Sequence, residues 1–171
     1  MKIKIYDDNI GHVELVDYLG SDLSVVNSAR VSFGKHKKEI DEKDKRLIRY
    51  LIKHKHTSTL EHCSITFRFK VPLFVRSQHH RHRTWSYNEI SRRYTNYNIE
   101  FYEPKEFRTQ HKSNRQASNE NQLTNPVIWD TTRLFDQEGK VKVSELIEEF
   151  HAQSLQIYNN LLGAGICREQ A

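Results

Sequence analysis

The chain has 171 residues, 36% hydrophobic and 29% charged, enough for one domain that folds without disulfides or a structural metal. No apolar run approaches the roughly 20 residues of a membrane span, and the opening MKIKIYDDNI lacks the apolar core and cleavage site of a signal peptide. Cys63 and Cys167 form no motif, so a reducing cytoplasm is expected. A net charge of +5 with a pI of about 9.2 favours an anionic partner without choosing among nucleic acid, nucleotide and phosphate.

Residues 2–6 and 12–18 alternate apolar and polar, predicting two short strands with Asn9 and Gly11 in the turn between them. Asp22 is placed to cap a helix from about Leu23 to Val31, with Val25, Val26 and Ala29 on one side. A charged, irregular stretch at 33–42 reads as loop. A helix over about 42–54 carries a stripe of Leu47, Ile48, Leu51 and Ile52. In 62–71, Ile65, Phe67, Phe69 and Val71 share one face of a half-buried strand. Pro72 ends it and starts a helix running to about His82. Residues 95–130, rich in Asn, Gln and Ser, read mostly as loop with a short strand at 99–102, and a loop of that length is commonly functional. The helix over 143–162 is predicted to start at Ser144, bury Leu146, Ile147, Phe150, Ser154, Leu155, Tyr158, Leu161 and Leu162, and stop at Gly163 and Gly165. Cys167 to Ala171 read as the first turn of a further helix. Strands and helices intermix without a βαβ rhythm, so the expected fold is α+β, a small antiparallel or mixed sheet packed with helices.

The densest chemistry lies in 78–94, QHHRHRTWSYNEISRRY, with Arg81, Arg83, Arg92 and Arg93, three histidines and one carboxylate, Glu89. Guanidinium forks bind phosphate at two points, and several held close repel one another unless an anion arrives. Ser86, Ser91 and Asn88 add hydrogen-bonding groups, and Trp85 and Tyr87 offer flat faces for a ring. The set suits a nucleotide. Composition alone leaves a solvated basic helix or a nucleic-acid patch equally open. A metal site at His79, His80 and His82 is disfavoured, because the first two are adjacent and no second carboxylate or Cys completes a shell.

Arg81 to Tyr94 resembles, at every fixed position, the signature R-H-R-x-x-S-x-N-E-x-S-x-R-Y of flavin-dependent thymidylate synthases. The Ala29-Arg30-Val31-Ser32 stretch, His56 with Ser58 and Glu61-His62, the strand 64–71 and Gln78 are similar to family features, and Phe107-Arg108 with Asn114-Arg115-Gln116 to a loop of some members. The resemblance implies reductive methylation of dUMP to dTMP, with FAD as cofactor, NADPH and 5,10-methylenetetrahydrofolate as co-substrates, and a homotetramer whose sites are shared between subunits. It implies dUMP contacts from Gln78, His79, His80, Arg81, Glu89, Ser91, Arg92 and Arg93, and FAD contacts from His56, Ser58, Arg81, His82, Arg83, Asn88 and Glu89. Arg81, Ser91 and Arg93 are the expected catalytic set, with no metal. Position 92 is variable in the signature. Outside the motif, His56 as a helix-end group and Glu61 as a surface carboxylate stay open.

A thiolate attacking uracil C6 is one route to a nucleophilic C5, but neither cysteine lies in the motif and Cys63 falls on a strand face. Ser91 has no evident base. A non-covalent route, with cations stabilising charge on the ring, is therefore expected. Family members run longer, continuing after a segment like Cys167–Ala171 with an arginine. The expectation is a single domain over 1–171 missing the C-terminal part of the family domain, weakly active or inactive alone and paired with a separately encoded remainder, or a fragment, or an interrupted gene. A basic nucleic-acid-binding protein without catalysis is the alternative.

Overall fold

A computed structural model describes residues 1–129 and 139–171, in two compact units, Met1–Val71 and Pro72–Ala171. In the first, β1 (Lys2–Lys4), β2 (His12–Leu19) and β3 (Ser64–Lys70) form an antiparallel sheet in the order β1-β2-β3. Val13 lies opposite Ile3 and Phe69, and Leu15 opposite Phe67. A register shift between Leu15 and Asp17 leaves Val16 without a cross-strand partner, so Tyr18 then faces Ile65. The alternation in β3 is as the sequence predicts, but its burial is not. Ile65 is 58% exposed and Phe67 and Phe69 38%, because α1 and α2 pack on one another and on the turn before β3 rather than on this strand.

Helices α1 (Asp22–Arg30) and α2 (Glu42–Lys53) supply the core of this unit, where Val25, Val26 and Leu51 are buried. Ser21, not Asp22, is the N-cap of α1. The Ser24 hydroxyl accepts the Ser21 N–H at 3.1 Å, and Asp22 sits in the first turn, where its charge complements the helix dipole. Asp41 caps α2, its carboxylate accepting the N–H groups of Lys43 and Asp44 at 2.8 and 3.0 Å. Of the predicted α2 stripe, Ile52 is 56% exposed. Gly20 is required by the backbone. Its φ is +88°, and a Cβ there would lie 2.7 Å from the Cys63 sulfur. Cys63 in turn donates to the Ser21 carbonyl, a packing role.

The polar centre of this unit is Asp44, fully buried. It accepts from Lys37 Nζ and from Arg30 Nη2 (2.5 Å), and its Oδ2 also accepts the Asp41 N–H at 3.1 Å. Lys37 pairs with Asp41 as well. Asn27 holds the same loop through both the N–H and the carbonyl of Lys37. The 33–42 stretch is thus irregular, as expected, yet tied at Lys37.

The second unit holds α3 (Leu73–His79), the antiparallel pairs β4 (Phe107–Gln110) with β5 (Ser118–Thr124) and β6 (Val127–Trp129) with β7 (Lys140–Lys142), and α4 (Val143–Gly163). Over its described residues the 95–130 stretch is mostly loop, as predicted, but it also holds β4, β5 and β6, where no strand was expected; position 130 lies outside the described residues. A polar hairpin occupies 107–124 because amide side chains supply its order. Gln110 Nε2 reaches the carbonyls of Asn114, Arg115 and Ala117, and Asn119 Nδ2 reaches Thr109, Gln122 and the Gln110 carbonyl. The strand expected at 99–102 is absent. That segment lies irregularly along α4, with Phe101 stacked on His151, Glu103 paired with His151 and Lys105 with Glu148.

Helix α4 matches its predicted span, ending at Gly163 with Gly165 at φ +87°. Its cap differs. Lys142 is the N-cap, and Asn125 satisfies the first turn, accepting the Ser144 N–H at 3.2 Å and donating to its hydroxyl at 2.8 Å. Of its predicted stripe none is fully buried: Phe150 is 66% exposed and the others are half-buried. All described strands pair antiparallel, so the architecture is the predicted α+β.

Lys37, then Arg30, holds the Asp44 carboxyl well below the usual carboxylate range, against the upward push of burial. A carboxyl lowered in the folded state contributes stability that is present above its unfolded value, about pH 3.9, and lost as pH falls toward its folded value. Asp44→Asn is expected to lower the urea midpoint at pH 7 and to flatten its fall between about pH 4 and pH 2. Urea titrations across that range check both.

Candidate functional site

Pro72 is the N-cap of α3 rather than its first residue, and α3 ends at His79, one turn short of the predicted His82. The cause is Tyr87. Its hydroxyl lies 2.8 Å from the His79 carbonyl and 2.9 Å from the His82 carbonyl, so the chain turns back over the helix end instead of extending it. The Tyr87 ring lies tilted against His80 (centroids 4.3 Å apart) and edge-on to His79. Trp85 lies edge-on to His79 at 4.8 Å. The rings of the 79–87 segment therefore pack on one another.

Glu89, expected to touch ligand, is gripped by a residue the sequence reading left out. Arg76 Nε donates to Glu89 Oε2 at 2.5 Å and Arg76 Nη2 donates to Oε1, a two-point fork. Arg76 holds the Glu89 carboxyl below its ordinary range, and the nearby His80 acts in the same direction. The signal was present: Glu89 is the one carboxylate in 78–94, and Arg76 is a cation just upstream of that segment.

The four signature arginines separate into two groups. Arg92 donates to the carbonyls of Tyr97 (2.9 Å) and Asn98 (3.3 Å), bracing the following turn. That gives the charge at the variable signature position a structural use. Arg93 Nε lies 3.1 Å from Glu169 Oε2, and its backbone N–H donates to the Ser91 hydroxyl at 3.3 Å. The Ser91 carbonyl accepts from Tyr94 and Thr95, closing a turn. Arg81 and Arg83 are exposed, with no ion pair among the described residues. Gln78, His82 and Asn88 are exposed, and His79 and His80 half-buried. Among the described residues no cluster of three His, Cys, Asp or Glu is placed for a metal.

His56 and Ser58 lie in the first unit. His56 is the N-cap of a 3-10 turn over Thr57–His62, its ring near those of His54 and Tyr50, and Ser58 is exposed. A cleft of about 470 Å³ in this unit is lined by Ser24, Asn27, Ser28, Val31 and His36 among others, and by no signature residue.

A family model described as thymidylate synthase complementing protein matches residues 14–171. The flavin-dependent thymidylate synthase of Thermotoga neapolitana is 41% identical over 171 residues, all of this chain and 67% of that protein. That of Thermus thermophilus is 41% identical over 161 residues, 94% of this chain and 53% of that protein. A solved structure of the UMP/dUMP methylase PolB from Streptomyces cacaoi, bound with 5-Br UMP, has 29% identity and a TM-score of 0.60, covering 92% of this chain and 62% of that one. The same enzyme bound with 5-Br dUMP has 30% identity, a TM-score of 0.58, and 98% and 67% coverage. The chain belongs to the flavin-dependent thymidylate synthase family, and it spans about two-thirds of the Thermotoga relative and about half of the Thermus one.

Tyr87→Phe removes the hydroxyl that turns the chain at His79 and His82. A loss of about 1 kcal/mol in unfolding free energy is expected, with faster proteolysis between 79 and 90. Urea unfolding and limited proteolysis of the variant measure it.

Proposed function

We propose that this protein takes part in the reductive methylation of dUMP to dTMP, with FAD as cofactor and NADPH and 5,10-methylenetetrahydrofolate as co-substrates. The observation that carries the reading is the signature segment 81–94, matched at every fixed position and folded as a turn that leaves Arg81 and Arg83 exposed without an ion pair among the described residues. The names of the relatives support the flavin and the reaction, and the ligands of the PolB structures support a pyrimidine nucleotide.

The donor set fits both ligands. Unneutralised guanidinium groups are suited to the phosphates of a nucleotide and of FAD. In this reading Gln78, His79, His80, Arg81, Glu89, Ser91, Arg92 and Arg93 face dUMP, while His56, Ser58, Arg81, His82, Arg83, Asn88 and Glu89 face FAD. Arg93 exchanges the Glu169 carboxylate, a monodentate and exposed partner, for the nucleotide phosphate, with Ser91 beside it. Arg81 stabilises negative charge building on the uracil ring. When bound, FAD would carry the hydride, and 5,10-methylenetetrahydrofolate would be the source of the one-carbon unit. Cys63 and Ser91 are poorly placed for covalent attack. The Cys63 thiol is packed against Gly20 and Ser21, and the Ser91 hydroxyl has no imidazole or carboxylate among its hydrogen-bond partners in the described residues. The exposed apolar residues Ile3 (51%), Tyr18 (66%) and Ile65 (58%) on the first sheet support a homo-oligomer, in the family a tetramer with shared sites.

The FAD-loaded protein is expected to be yellow and to change its flavin absorbance when dUMP is added. Colourless protein that binds nucleic acid in a salt-sensitive way overturns the enzyme reading in favour of a basic binding module. Arg81→Ala and Arg93→Ala are each expected to weaken dUMP binding about tenfold or more, the usual size of a lost charged hydrogen bond. Tritium release from C5-labelled dUMP by a full-length, flavin-loaded sample reports the reaction itself, and such a sample that binds dUMP and releases none counts against it.

A further inference from the structure

The sequence places one carboxylate among four guanidinium groups, and electrostatics alone would collapse it onto one of them. The structure avoids this. Glu89 is held by Arg76, a fifth arginine outside the signature, on the last turn of α3. Of the signature arginines, Arg92 is directed to two backbone carbonyls and Arg93 to Glu169. Arg81 and Arg83 remain without an ion pair among the described residues.

A carboxylate has about four lone-pair sites on its two oxygens. The Arg76 fork takes one on each, Oε2 from Nε and Oε1 from Nη2. It fixes the plane of the group and leaves acceptor capacity on both oxygens. The Glu89 side chain is 49% exposed, so that capacity is open to a ligand. The tie between Tyr87 and the carbonyls of His79 and His82 brings the returning segment alongside α3, within reach of the fork.

We infer that Arg76 is a positioning residue: it holds Glu89 as a fixed hydrogen-bond acceptor for an N–H or O–H group of the pyrimidine nucleotide, and keeps that carboxylate from neutralising Arg81 and Arg83. The inference rests on the nucleotide-binding reading above. Arg76 acts through Glu89 and need not touch the nucleotide. A lysine in its place offers a single-point contact that fixes no plane.

The test is dUMP titration of the FAD-loaded protein as wild type, Arg76→Lys, Arg76→Met and the double swap Arg76→Glu with Glu89→Arg, each with its urea midpoint. Arg76→Met is expected to weaken dUMP binding about tenfold, and Arg76→Lys by less. The double swap restores the tie, and so the midpoint, but puts a cation where the acceptor is needed, and dUMP affinity stays low. Wild-type affinity in Arg76→Met, or recovery of affinity in the double swap, overturns the inference and makes the pair a structural staple. Wild-type protein that binds no dUMP overturns the nucleotide reading itself, and this inference with it.

Discussion

Guanidinium groups crowded onto one short stretch cannot neutralise each other, and the way this chain handles that repulsion organises its second unit. Arg92 is turned onto the carbonyls of Tyr97 and Asn98, Arg93 onto Glu169, and Glu89 onto Arg76, which lies outside the stretch. Each contact removes one source of self-neutralisation or self-repulsion while ordering a turn. Arg81 and Arg83 are left as exposed cations among the described residues. The arrangement is stable only because the backbone is tied independently of the charges, through the Tyr87 hydroxyl and the turn that the Ser91 carbonyl closes.

The first unit meets a related difficulty in its interior. Asp44 is fully buried, and a buried carboxylate is costly unless paired and hydrogen-bonded. Lys37 and Arg30 supply the charge, and the Asp41 N–H a further donor. The same group closes a reciprocal cap at the start of α2. One side chain thus joins α1, the 33–42 loop and α2. Arg30 Nε is nevertheless buried without a hydrogen-bond partner among the described residues, so the network is not fully satisfied.

Much of the fold was legible from local pattern. Periodicity located β1, β2, β3, α1, α2 and α4 because each repeats at its own spacing within a few residues. Caps were less legible. Ser21 displaced Asp22, and Asn125 took the role expected of Ser144, since a cap depends on which side chain reaches a free N–H. The 107–124 hairpin was missed because it carries no apolar alternation; its order comes from Gln110 and Asn119 bonding across it.

The chain by itself determined its family, through a fourteen-residue signature matched at every fixed polar position. It also determined where most regular elements lie, because helix and strand periods are local. Tertiary structure decided which charges are paired. Nothing in the spacing of Arg76, Glu89, Arg93 and Glu169 distinguishes a fork from a free cation. Pairing requires atoms within about 3 Å, and that proximity arises only when the chain folds back at His79 and when α4 returns Glu169 beside Arg93.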